Sequence, residues 1–268
     1  MRIMFVGTSS NAGKTVITAL FCRYLRTKTI MVSPFKALNL SSKAFVTENG
    51  TEIGVGQALQ AWASDLEPSG RMNPVLLKVV NRDIELYVNG KREDGRTFTR
   101  EMMLNAALRS YDEMCDMYDI VVAEGSGSPA EINLFDGDIA NTGLASARQI
   151  PMILIGDIEK GGVFAGIYGT WLLMKEEHRK LLKGFIINKY YGDKEILKSG
   201  IERIESLTGM RCMGIFPHMN IQLPEEDVSV RKISGVHNID EYLETLDRIT
   251  GTISEHIDME GILRIASE

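Results

Sequence analysis

Ile3, Met4, Phe5 and Val6 run without a break into the loop GTSSNAGKT at residues 7–15, and a helical pattern follows at once. Strand, glycine-containing loop, helix is a demanding order. It restricts the chain to folds whose first strand lies inside a sheet and delivers its C-terminal end to the start of a helix. Residues 15–26 place Val16, Ile17, Leu20, Phe21, Tyr24 and Leu25 on one face, so this helix is expected to lie against that sheet. Short apolar runs at 2–6, 29–33, 120–123, 151–155, 184–187 and 213–216 are the strand candidates. Helical stretches are expected at 56–64, 100–117, 139–148, 164–180 and 194–208. The strand candidates are nearly continuous in apolar residues, as strands buried on both faces require. Their alternation with helices predicts an α/β fold, a mostly parallel sheet flanked by helices with right-handed crossovers.

The rhythm changes between residues 72 and 100. There ELYVNGKREDG, residues 85–95, alternates and then turns, which predicts a small hairpin inserted beside the sheet. After Asp227 the chain is polar, then offers two short amphipathic stretches at 239–249 and 259–266. Residues 1–228 therefore read as one domain, and 229–268 as a helical tail packed on or beside it. No apolar run approaches the roughly 20 residues of a membrane span, and the N-terminus enters a strand without a leader pattern. Cys22, Cys115 and Cys212 lack metal-ligand spacing, so a reducing cytoplasm is expected, with no membrane partner. A net charge of −6 argues against a generic nucleic-acid binder.

The opening loop has five residues between Gly7 and Gly13, one more than the common phosphate-loop spacing, and Thr8 stands at the usual first glycine. The physics tolerates the change. Backbone N–H groups of Ser10, Asn11, Ala12, Gly13, Lys14 and Thr15 can ring an anion at the positive end of a helix. Lys14 would reach the β- and γ-phosphates of a nucleoside triphosphate, and the Thr15 hydroxyl would ligate Mg2+. The plainer alternative is a glycine turn that only caps a helix.

VVAEGSGSPAEINL, from Val121, puts Glu124 at the C-terminal end of a strand, where open α/β sheets hold their ligands. A carboxylate there can bind Mg2+ directly or through water; a polar turn is the bland reading. Glu131, Asn133, Asp136, Asp138 and Asn141 follow, a density of polar groups that suggests a site. In SPFKALNLSS, Lys36 lies just past the second strand and could balance a transferring phosphoryl group, or simply be solvated. Glu52 in TEIGVGQALQA is a weaker metal candidate, since an acid before a helix is favoured by the helix dipole in any case.

These blocks, with MNPVLLK, DIANTGLASA, GDIEKGGVFAGIYGT, GFIINKYYGD and MGIFP, stand in an order that resembles cobyric acid synthase. Residues 1–228 look like the N-terminal, ATP-dependent synthetase domain of that family, similar in fold to dethiobiotin synthetase and cobyrinic acid a,c-diamide synthase. The resemblance implies a P-loop NTPase fold, with ATP and Mg2+ as cofactors. It implies a reaction too: ATP phosphorylates a corrinoid side-chain carboxylate, and ammonia displaces the phosphate. The elementary chemistry agrees, because a carboxylate is a poor electrophile until it carries a leaving group. Catalysis is then positioning and charge neutralisation, assigned to Lys14, Lys36 and Glu124. The family's phosphate loop maps onto residues 7–15. Asn188 would read adenine with Pro217 nearby; a turn residue is the alternative for Asn188. Ser128, Glu131, Asn133, Asp138, Asn141 and Lys160 would line the substrate region. Lys36, Lys78, Arg82 and Lys160 are the basic residues available to a polyanionic substrate. Lys160 stands where the family is expected to have Arg, which removes a bidentate carboxylate contact.

The family continues into a glutaminase domain with a Cys nucleophile on a sharp turn. After Asp227 there is His237 and His256 but no Cys. Ammonia is therefore expected from solution or from a separate glutaminase chain; a homodimer stays open as a further partnership. Two other functions remain: amidation of another tetrapyrrole polycarboxylate, the a,c-diamide reaction included, and a non-catalytic nucleotide-binding switch or scaffold.

Overall fold

Apolar residues of β1 (Arg2–Gly7) alternate between two cores: Ile3 and Phe5 face one, Met4 and Val6 the other. The computed structural model describes residues 1–219 and 239–268. The remaining strands are β2 (Val32–Phe35), β3 (Leu38–Ser41), β4 (Phe45–Val46), β5 (Glu52–Ile53), β6 (Val75–Val80), β7 (Asp83–Val88), β8 (Lys91–Glu93), β9 (Ile120–Glu124), β10 (Met152–Asp157), β11 (Leu182–Tyr190) and β12 (Arg211–Pro217). The helices are α1 (Lys14–Thr27), α2 (Val55–Ala63), α3 (Arg100–Met117), α4 (Leu144–Arg148), α5 (Val163–Leu173), α6 (Glu176–Arg179), α7 (Lys198–Thr208), α8 (Ile239–Thr250) and α9 (Met259–Ser267).

The six apolar runs form one sheet in the order β12-β11-β10-β1-β9-β2, and every pairing is parallel. β1 is central, so the loop after it opens at the C-terminal edge between β10 and β9. β2 is the edge strand, which is why it tolerates Pro34. It starts three residues later than expected. Thr29 adopts φ 59, and the amides of Lys28, Thr29 and Ile30 bond back to carbonyls of α1, so residues 28–30 close a turn.

The region from 72 to 100 is more than a hairpin. β6, β7 and β8 form an antiparallel meander, and β3 adds to β6 in parallel, giving a second, four-stranded sheet. Its turns, Asn81-Arg82 and Asn89-Gly90, both take left-handed backbone, the geometry of two-residue hairpins. Two expected helices are also divided. Residues Ile139–Gly143 form a single wide turn before α4. The stretch 164–180 breaks at Met174, which leaves the helix in extended backbone and is buried.

On one face of the main sheet lie α1, α2, α8 and α9, and on the other α3, α4, α5 and α7. Tyr242, Leu246 and Ile249 of α8 and Met259, Ile262 and Ala266 of α9 belong to the same core as Phe21 and Leu25 of α1. Each buried Leu, Ile, Met or Phe side chain contributes about 1.5–3 kcal/mol. Arg23 of α1 pairs with Asp247, and Asp258 N donates to Met213 O of β12. The expected boundary at 228–229 and His237 lie outside the described residues. Among the described residues no helix is long and apolar enough to cross a membrane.

Candidate active site

Thr8 N donates to Ile155 O at 2.9 Å, and the chain then loops back to the N-terminus of α1. Asn11 (φ 61) and Gly13 (φ 96) take left-handed backbone, which turns successive amides toward one point. Gly7 and Gly13 are required by contact as well. A Cβ on Gly7 would lie 2.9 Å from the backbone oxygen of Ser9, and one on Gly13 would meet Asn188 Nδ2 at 2.0 Å. Lys14 folds back over the loop and donates to Ser9 O (2.9 Å) and to Gly127 O (3.1 Å). The loop is braced from β11: Asn188 Nδ2 donates to Ala12 O at 2.9 Å, and Lys189 Nζ to Asn11 O at 3.0 Å. Lys189 also pairs with Asp157 at 2.7 Å. Asn188 Oδ1 accepts from Lys189 N, so both ends of this amide are engaged by the chain. Pro217 ends β12 beside Tyr190, and Tyr191 stacks on His218 with ring centroids 4.6 Å apart.

Glu124 is the hub. Its Oε1 accepts from Lys36 Nζ at 2.8 Å and from Thr15 Oγ1 at 3.1 Å, and its Oε2 accepts from Gln60 Nε2. The Lys36 and Glu124 side chains are 7% and 1% exposed. Burial alone raises the Glu124 carboxyl. The charge and hydrogen bond of Lys36, the charge of Lys14 and the Gln60 amide outweigh it and hold the group below its ordinary value. Lys36 is fixed through its backbone, with N donating to Met72 O and O accepting from Asn73 Nδ2. The structure thus brings Lys14, Thr15, Lys36 and Glu124 together from three separate segments. Gln60 was missed: within the apolar helix α2 a neutral amide carries no signal of its own.

Past Glu124 the chain needs room. A Cβ on Gly125 would lie 2.0 Å from Asn141 Oδ1. Asn141 Nδ2 donates to Ser126 O, and its Oδ1 is buried without a partner. Asp138 caps the wide turn by accepting from the amides of Asn141 and Thr142 and from the Thr142 hydroxyl. Glu131 accepts from Ser128 N at 3.0 Å. Glu131, Asn133 and Lys160 are exposed. The side chain of Asp136 lies outside the described ones. Glu52, on β5, pairs with Lys78 of the second sheet at 2.5 Å.

The Thr15 hydroxyl and the Glu124 carboxylate are hard oxygen donors of the kind Mg2+ takes. Among the described residues there is no group of three or more His, Cys, Asp or Glu that could enclose a metal. This donor set fits a Mg2+ that keeps water and phosphate ligands, the usual case for a nucleotide-bound ion. The cysteines are poor nucleophiles: burial pushes Cys22 up to about 12 and Cys212 to about 11, and also raises Cys115.

Residues 3–230 match the family described as CobQ/CobB/MinD/ParA nucleotide binding domain. The chain is 42% identical over 270 residues to a probable cobyric acid synthase of Methanocella arvoryzae, covering 97% of this chain and 55% of that one. It is 46% identical over 232 residues to the cobyric acid synthase of Listeria innocua, covering 84% and 45%. The chain therefore spans about half the length of the curated relatives it matches. Among solved structures, the signal recognition particle 54 kDa protein of Aeropyrum pernix K1 in complex with GDP aligns at 16% identity and a TM-score of 0.47. That alignment covers 95% of this chain and 50% of the other.

Proposed function

The chain belongs to the CobQ/CobB/MinD/ParA nucleotide-binding family, and we propose that it is an ATP-dependent amide ligase acting on peripheral carboxylates of a corrinoid in cobalamin biosynthesis. The observation that carries this is the clasp on Glu124: a buried carboxylate held by Lys36, Gln60 and Thr15, the residue that directly follows the phosphate-loop lysine. The relatives are named cobyric acid synthases, and the corrinoid substrate and amide formation of this reading rest on the resemblance to that family.

In this reading the loop amides from Ser10 to Thr15 hold the triphosphate, and Lys14 exchanges its two carbonyl contacts for the β- and γ-phosphates. Thr15 and Glu124 hold Mg2+, which when bound offsets phosphate charge. Lys36 neutralises the substrate carboxylate as its oxygen attacks the γ-phosphorus and ADP leaves. Ammonia then attacks the acyl carbon and inorganic phosphate departs, leaving a carboxamide. Asp138 and Asn141 shape the loop after Glu124 against which the substrate rests. None of the three thiols in these residues is activated, so ammonia comes from solution or from a glutaminase outside them.

The test is mass spectrometry of corrinoid polycarboxylates incubated with the purified chain, ATP, Mg2+ and either ammonium or glutamine. Amidation is expected with ammonium and none with glutamine alone. ATP hydrolysis without amidation of any tetrapyrrole polycarboxylate would favour a switch or scaffold instead.

A further inference from the structure

Lys36 Nζ and Thr15 Oγ1 approach the same oxygen, Oε1 of Glu124. A cation ligated directly by both Thr15 Oγ1 and Glu124 meets that oxygen first, since it is the one Thr15 approaches. The ammonium of Lys36 already holds it. The other oxygen, Oε2, points to the far side of the group, where it accepts from Gln60. The pair is almost wholly buried, so bulk water cannot screen two cations brought to one atom.

We infer that Lys36 is a stand-in for the metal: it occupies the metal's oxygen on Glu124 while the site is empty and leaves it when Mg2+ and nucleotide are bound together. The inference rests on the nucleotide and Mg2+ site of the reading above. The displaced group is a side chain and not a segment, since the Lys36 backbone is held on both sides by Met72 O and Asn73 Nδ2. Its four-carbon stem allows the swing.

An acceptor is available on the same helix as Gln60. Gln57 lies one turn earlier on α2, about 5–6 Å away by helix geometry. It is fully buried, and neither of its amide atoms has a partner. Asn73 ties this corner to Lys36: its Nδ2 holds Lys36 O, and its Oδ1 accepts from Gly54 N at the start of α2. A Cβ on Gly54 would lie 2.5 Å from Gln57 Oε1 and 2.3 Å from Asn39 Nδ2, so the corner is lined by amides. Such a lining can accept from an ammonium and still donate to a carboxylate. Two consequences follow. The carboxylate substrate is held productively only after Mg2+ and nucleotide have entered, and metal binding works against the Lys36–Glu124 ion pair.

Limited acetylation of the native chain with peptide mass spectrometry reads this directly, with exposed Lys183 as internal standard. Lys36 is expected to react slowly in the empty protein and with ADP in EDTA. With Mg2+ and ADP it is expected to react about tenfold faster or more, because the amine has left its charged partner and only neutral amides hold it. Calorimetry on the same samples measures ADP binding with and without Mg2+. In Lys36→Met the gain in ADP affinity conferred by Mg2+ is expected to rise about tenfold, because no cation competes for Oε1. Equal acetylation of Lys36 in all states, or an unchanged or smaller Mg2+ gain in Lys36→Met, overturns the inference and leaves the ligase reading standing. No binding of ADP with Mg2+ by the native chain overturns both.

Discussion

Glu124→Gln is expected to destabilise the fold by about 3 kcal/mol, although it removes one charge and almost no volume. Glu124 Oε1 and Lys36 Nζ are 2.8 Å apart and nearly sealed from water. At an effective dielectric of about 20, two unit charges at that distance attract by on the order of 6 kcal/mol. Desolvation offsets much of this in the intact pair. Removing one partner leaves the other buried alone, which costs roughly 3–5 kcal/mol. The lower end applies here, because the Gln oxygen still accepts from Lys36 and Thr15, and Gln60 Oε1, now without a partner, can turn to accept the new amide. Lys36→Met is expected to cost a similar amount by stranding the carboxylate. The double variant is expected to be no less stable than either single, a coupling of about 3 kcal/mol or more. Urea unfolding followed by far-UV circular dichroism and by Trp62 and Trp171 fluorescence measures this at constant slope. The sign of the pH dependence is set as well. Glu124 titrates lower in the fold than in the unfolded chain. Its stabilisation is therefore full above its unfolded value, about 4.3, and is lost as pH falls through the folded value below it. The gap between native and Glu124→Gln should close only in acid. Single variants within about 1 kcal/mol of native, or a double variant equal to the sum of the singles, would refute the ion-pair reasoning.

Lys14→Ala is expected to leave circular dichroism unchanged while amide formation falls by orders of magnitude, since the charge is used mainly as the phosphoryl group transfers; near-normal amidation would remove the phosphate-loop assignment. Gly13→Ala should abolish ADP binding in calorimetry, because φ 96 and a Cβ 2.0 Å from Asn188 Nδ2 forbid the loop geometry. Adding Asn188→Ala relieves the contact but not the dihedral, so full recovery in that pair would contradict the backbone argument. Gly125→Ala, whose Cβ falls 2.0 Å from Asn141 Oδ1, is expected to lower turnover with ADP affinity intact; a matching loss of both would place Gly125 at the nucleotide.

The phosphate loop was legible because its signal is local: an apolar run, glycines and Gly-Lys-Thr within fifteen residues specify a strand, a turn and a helix start without help from the rest of the chain. Glu124 was legible for the same reason, as an acid at the end of a buried strand. The second sheet was not. β3 is LNLS, with Asn39 buried and Leu40 57% exposed, so its pattern announces neither a core strand nor a loop. It becomes a strand only because β6 lies beside it. Gln60 was hidden likewise, since a neutral amide in an apolar helix gains meaning only from the carboxylate it meets.

What the sequence by itself determined is the alternation of buried strands and amphipathic helices, and the phosphate loop at the first strand's end. These follow from hydrophobic period and backbone preference over a few residues. The tertiary structure decided which distant groups share an atom. Lys36 and Glu124 are 88 positions apart, and Thr15 and Glu124 are 109 apart. Strand order, with β9 set between β1 and β2, puts their ends side by side. No local pattern encodes that order, because it is fixed by burying both faces of the whole sheet at once.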